Sequence, residues 1–272
     1  MDYPIRAIRR DGLPTAAGLH RVGVVVVTGM AALLGPQCGV EEFHVARGVG
    51  SDPAEQPPIA AVETGLLPGT LIQGESLQGM DLWERMSHHR VPGVGVAVID
   101  GGRVAWERGY GTLRTGGQDP VSPNTLFQAA SIGKPVAALT ALRLVERGVL
   151  DLDQDVNEVL TSWKVPENEL TRAEPVTLRG ILSHTAGLTV HGFGGYSREQ
   201  TLPSVLEILE GSGPANNAAV RVDLLPGRRF RYSGGGYVVL QKLCEDATQR
   251  PFAELVEELV FDPLGMDDSL YA

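Results

Sequence analysis

The stretch from Pro135 to Arg147 constrains this sequence more than any other. Ala137, Ala138 and Ala141 favour a helix, its first two turns are almost wholly apolar, and Gly148 follows as a C-terminal stop. A helix of that kind needs cover on most sides, so the pattern predicts a central position in a domain. Its N-terminus then becomes a fixed point, and the residues fixed there are Ser131-Ile132-Gly133-Lys134, behind the small pair Ala129-Ala130. Residues three apart share a helical face, so Lys134 can reach back to the Ser131 hydroxyl. The start of a helix also carries positive potential and free N–H groups, which favour negative charge developing during acyl transfer.

A serine hydroxyl is a weak nucleophile until a neighbour takes its proton. An amine can take it, whereas a guanidinium cannot give up its own proton to become a base. Of the 23 basic residues only Lys134, Lys164 and Lys242 are lysines, so Lys134 stands out in a chain that otherwise uses arginine. A second element follows the turn at Pro226-Gly227: in Phe230-Arg231-Tyr232-Ser233-Gly234-Gly235-Gly236-Tyr237, Tyr232 lies on a glycine-rich loop ahead of another helix. There its phenol can serve as a general acid or base. Taken singly, each pattern also fits a plainer role: a capping serine with an exposed lysine, or a packed aromatic at a helix entry.

The order of the motifs is more specific than any one of them. Pro92-Gly93 with its strand pair, Phe127 to Lys134, Leu150-Asp151-Leu152-Asp153, Leu182-Ser183-His184-Thr185-Ala186-Gly187-Leu188, the Tyr232 loop and Pro263-Leu264-Gly265-Met266 succeed one another between Met80 and Ala272. In this the chain resembles the serine β-lactamase and penicillin-binding protein superfamily, particularly its class C-like branch with D-alanyl-D-alanine carboxypeptidases and esterases. The resemblance implies an α/β fold of the α+β type, an antiparallel sheet flanked by helices with a helical subdomain. It implies catalytic roles for Ser131 as the acylated nucleophile, Lys134 as its activating partner and Tyr232 as the second proton-handling group. Gly234 falls at a substrate-binding position where many relatives carry an Asn that holds an acylamide, so ester hydrolysis gains ground over recognition of a penicillin or peptide amide. The resemblance also implies a later strand with a Lys-Thr-Gly or His-x-Gly run, for which Gly234 to Ala272 offers no match. The chain therefore reads as a C-terminally truncated member.

The expected activity is that of a serine hydrolase working through an acyl-enzyme on a small-molecule ester, β-lactam or peptidoglycan-type peptide. The competing reading is a non-catalytic, penicillin-binding-like pseudoenzyme. Neither a cofactor nor a metal is expected. Asp151, Asp153 and Asp155 have the rhythm of a calcium loop, but Val156 and Ser162 stand where its Gly and bidentate Glu belong. His184 has no G-x-S-x-G elbow to serve and reads as a structural loop residue. A net charge of −10 over 272 residues argues against nucleic acid as a partner. With two cysteines, Cys38 and Cys244, no disulfide framework is expected, and Cys244 reads as a buried thiol.

Residues 1–40 read as a signal or N-terminal extension. Arg6, Arg9, Arg10 and Arg21 precede an uncharged stretch with Val24 to Val27 and Met30 to Leu34 at its heart. Gly35-Pro36-Gln37-Cys38 resembles a lipoprotein acceptor site, with Gln37 where a small residue is expected. Export to the periplasm or exterior is the expectation, with membrane association only through that signal or a lipid anchor. A cytoplasmic location follows if the segment is not a working signal. Residues 41–79, rich in Pro and Gly without a sustained period, read as a linker, and 80–272 as the hydrolase domain. Helices are predicted at 80–90, 176–183, 202–209, 235–247 and 252–260. Strands are predicted at 94–99 and 103–110, joined at Asp100-Gly101-Gly102.

Overall fold

The computed structural model describes residues 59–67, 70, 73–74, 78–197 and 199–271, together with the backbone of residues 23–27. Where the sequence reads as one domain from residue 80, the chain divides between Thr125 and Leu126 into two compact units. Each has its own apolar core.

The first unit holds β1 (Gly23–Val27), α1 (Ile59–Thr64), α2 (Leu82–His88), β2 (Gly93–Asp100) and β3 (Arg103–Gly111), the strands forming an antiparallel sheet in the order β1-β2-β3. In the β2–β3 hairpin Gly101 and Gly102 both take positive φ, +55° and +76°, which a tight turn of this twist demands. Val94, Val96 and Val98 alternate inward along β2 and meet Trp106 and Tyr110 of β3, with Leu82 and Met86 of α2 closing the cluster. Two segments carry more structure than their composition suggested. The apolar run read as the heart of an export signal contributes β1, which pairs with β2 in the register Val25 to Ala97. The stretch read as a linker contains α1 and an antiparallel bridge between Leu66 and Met80. The remainder of residues 1–40, Cys38 included, and much of 41–79 lie outside the described residues.

The second unit follows α3 (Gly133–Glu146) with α4 (Val156–Val159), α5 (Glu169–Ala173), α6 (Leu178–Leu182), α7 (Val205–Glu210), α8 (Gly234–Thr248), α9 (Phe252–Val256) and α10 (Asp262–Leu264). A π-helical turn over Glu257–Phe261 joins the last two. The predicted helices are found with their ends moved: α6 and α7 start later than predicted, where Thr177 caps α6 and Ser204 with Glu207 forms a capping box on α7, whereas α8 extends one residue beyond the predicted 235–247 at each end. The expectation that α3 is covered on most sides needs correction. Ala137, Thr140, Ala141 and Leu144 are buried, whereas Leu139 and Leu142 are exposed, so α3 rests on the core along one face.

Opposite α3 in the core, α8 buries Val239, Leu240, Leu243 and Cys244. Burial pushes the Cys244 thiol up to about 12, as an apolar surrounding does when it penalises the thiolate. The same helix is pinned by its one buried carboxylate. Asp246 accepts the backbone N–H of Thr161 at 2.7 Å and of Ser162 at 2.9 Å, the Ser162 hydroxyl at 2.9 Å, and an ion pair from Lys242 at 3.2 Å. Burial alone would raise its pKa, but these donors outweigh that effect and lower it. Removing the carboxylate strands the donors, so Asp246→Ala should lower stability by about 3 kcal/mol in urea titration and speed amide exchange at Thr161 and Ser162. An unchanged unfolding midpoint would show that the network contributes nothing to holding α8.

Candidate active site

Ser131 lies in a short 3-10 turn, Ala130–Ile132, that runs directly into α3. Ala130 just before it adopts φ +46°, a left-handed conformation that costs a non-glycine residue about 1–3 kcal/mol and recurs at catalytic sites. Gly133 follows for a steric reason. A Cβ there would approach the Tyr271 hydroxyl to 3.1 Å, and the same hydroxyl faces the Gly133 carbonyl at 3.4 Å, with the Tyr271 ring set edge-on against Phe252. Lys134, on the first turn of α3, donates from Nζ to Ser131 Oγ at 3.1 Å. The i to i+3 spacing read from the sequence is thus a formed contact.

Tyr232 joins them from the loop before α8. Lys134 Nζ lies 4.9 Å from the centre of the Tyr232 ring. Burial pushes the phenol up, but the Lys134 and Ser131 hydrogen bonds and the Lys134 charge outweigh it, and the pKa falls below the ordinary tyrosine value. All three expected catalytic side chains therefore meet at one point.

What holds Tyr232 there is His184. The His184 carbonyl accepts the N–H of Arg231 at 2.8 Å, and its ring Nδ1 accepts the N–H of Ser233 at 3.1 Å, so the residues on both sides of Tyr232 are anchored to one histidine. Its imidazole also lies against the Tyr232 ring, centres 4.4 Å apart. An accepting Nδ1 leaves the proton of the neutral ring on Nε2. Burial first, then the charges of Lys134 and His191, hold His184 below the usual histidine range. Ser233 completes the clamp: it caps α8 through the Gly236 N–H at 2.8 Å and donates its hydroxyl to the Thr189 carbonyl at 2.7 Å. His184 was expected to be a structural loop residue. It has that role and a second one, gripping the loop and ring of Tyr232, which its place in the Leu182 to Leu188 motif could have suggested.

Gly234 departs from expectation. It is buried, its N–H is given to the His191 carbonyl at 3.1 Å, and a Cβ there would meet the Phe193 ring at 3.2 Å. The start of α8 is covered by the His191 to Phe193 loop. The three aspartates with a calcium-like spacing are engaged otherwise. Asp153 forms a two-pronged pair with Arg179 at 2.7 and 2.8 Å, Asp151 accepts the N–H of Asp153, and Asp155 caps α4. Among the described residues no group of three or more His, Cys, Asp or Glu is placed to hold a metal.

The family model described as beta-lactamase matches residues 80–272, and the chain belongs to that family. Within it the chain is similar to esterase EstB of Burkholderia gladioli, 31% identical over 192 residues that cover 68% of this chain and 48% of that protein. It is similar also to penicillin-binding protein 4 of Amycolatopsis lactamdurans, 29% identical, with 68% and 46% covered. The chain spans about half the length of these curated relatives. Among solved structures it matches the octameric penicillin-binding protein homologue from Pyrococcus abyssi, with a TM-score of 0.54, 28% identity, and 68% and 42% of the two chains covered. EstCE1, a hydrolase with promiscuous acyltransferase activity, matches with a TM-score of 0.53 and 26% identity over 67% of this chain and 49% of that one. The fold is of the β-lactamase/transpeptidase kind.

Because folded His184 binds a proton less readily than the unfolded residue, its contribution to stability is fully present above about pH 6.5 and is lost as the pH falls through the lower folded value. The melting temperature should therefore drop from pH 7.5 to pH 5, and drop less in His184→Gln. Equal slopes in the two proteins would show that His184 is not held neutral.

Proposed function

We propose that this chain is a serine hydrolase that acts through an acyl-enzyme, with esters as its substrates. The observation that carries the reading is the contact of Lys134 Nζ with Ser131 Oγ at 3.1 Å, with the Tyr232 ring centre 4.9 Å from the same nitrogen. Neutral Lys134 takes the Ser131 proton as Oγ attacks the ester carbonyl, and the resulting ammonium faces the phenol. Tyr232 then gives its proton to the leaving alcohol oxygen, and the adjacent ammonium stabilises the phenolate until the proton passes back. The start of α3 adds positive potential where negative charge develops. A water then cleaves the acyl-serine ester to complete the cycle.

Esters are favoured over amides and β-lactams because Gly234 offers no side-chain amide to hold an acylamide, and an N–H already given to His191 cannot substitute for one. The esterase relative from Burkholderia gladioli supports the same choice.

Incubation of the chain with a fluorophosphonate should place the adduct on Ser131 by mass spectrometry, and Ser131→Ala should abolish it. Lys134→Arg keeps a positive charge but loses the removable proton, so p-nitrophenyl acetate hydrolysis should fall about a hundredfold. Labelling on another serine, or labelling that survives Ser131→Ala, would overturn the assignment. Near-normal turnover in Lys134→Arg would reduce the lysine to a packing role.

A further inference from the structure

Two aromatic rings beside the site do no work in the mechanism. Phe193 sits on the loop that covers Gly234, with 40% of its surface exposed, and its ring occupies the space that a side chain at 234 would enter. Phe230, on the loop that carries Tyr232, is 67% exposed and meets the His184 imidazole edge-on, centres 5.7 Å apart. The Tyr232 ring lies 4.4 Å from the His184 ring and 5.0 Å from the His191 ring, centre to centre, so both phenylalanines neighbour residues that pack on Tyr232. Exposed phenyl surface is unfavourable in water, and two such rings close to Tyr232 mark a place for an apolar ligand.

The chemistry fixes which part of a substrate comes here. To return a proton, Tyr232 must stand beside the oxygen of the leaving alcohol, so whatever lies against Tyr232 flanks that alcohol. The Phe193 ring faces the side-chain position of Gly234, two residues on from Tyr232, and Phe230 lies two residues before it.

We propose that Phe193 and Phe230 form an apolar subsite for the alcohol portion of the ester, one that prefers an aromatic or bulky apolar group, with Phe193 setting the preference from the space that Gly234 leaves open. This rests on the ester-hydrolase reading above. It also supplies a reason for glycine at 234: a larger residue would push Phe193 out of the subsite, since the other close neighbour, the His191 carbonyl at 3.1 Å, is backbone.

The test uses fluorophosphonate labelling of Ser131 in the full chain, slowed by competing benzyl acetate or ethyl acetate, which share an acyl group and have leaving alcohols of similar acidity. Benzyl acetate should halve the labelling rate at about tenfold lower concentration than ethyl acetate. Phe193→Ala should erase that difference and Phe193→Leu should retain most of it. Phe230→Ala, on the opposite flank, should reduce it and so tests the subsite should Phe193→Ala fail to fold. Absence of labelling at Ser131 would overturn the ester-hydrolase reading and the subsite with it. Normal labelling with equal protection by the two esters, or with the benzyl preference intact in both alanine variants, would overturn the subsite alone.

Discussion

The site depends on a phenol being held still beside an amine, and a single histidine does the holding. His184 receives the N–H on each side of Tyr232, one through its carbonyl and one through its ring, while its imidazole lies against the phenol itself. A loop residue tied only by its own side chain would sample several rotamers. With both neighbouring N–H groups committed, Tyr232 has little backbone freedom left, and its distance from Lys134 is set by the fold. The grip requires a neutral imidazole because protonation would remove the Nδ1 lone pair that Ser233 uses. The nearby Lys134 and His191 charges, added to burial, keep it neutral.

The candidate site thus draws on three separate parts of one unit: the turn into α3, the loop after α6 and the loop before α8. The two helices of the latter parts are held by local caps. Thr177 caps α6, Ser233 caps α8 and Asp246 anchors α8 farther along. These caps are cheap in sequence, one polar side chain each, and they convert helix ends into rigid mounts for the neighbouring loops.

Much of this was legible beforehand because it is local. The hairpin at Asp100-Gly101-Gly102 follows from two glycines between β-branched runs, and the Ser131 to Lys134 contact follows from helical spacing. The relations that escaped are those that span long separations. The His184 grip on Arg231 and Ser233 reaches across as many as 49 positions and uses a main-chain acceptor for the first and a ring tautomer for the second, neither of which a sequence displays. The burial of Gly234 depends on where the His191 to Phe193 loop lands, which no local pattern displays. The exposure of Leu139 and Leu142 escaped for a similar reason: an all-apolar helix pattern fixes which residues could be buried, and only packing decides which face is.

The contact between Tyr271 and Gly133 joins positions 138 apart, at the two ends of the helical unit. The turn that carries Ser131 is therefore buttressed by a residue beyond α9 and α10. Local helices form quickly, whereas contacts of such long separation form late. In the order of folding, the turn at Ser131 is thus among the last parts of this unit to take its final shape.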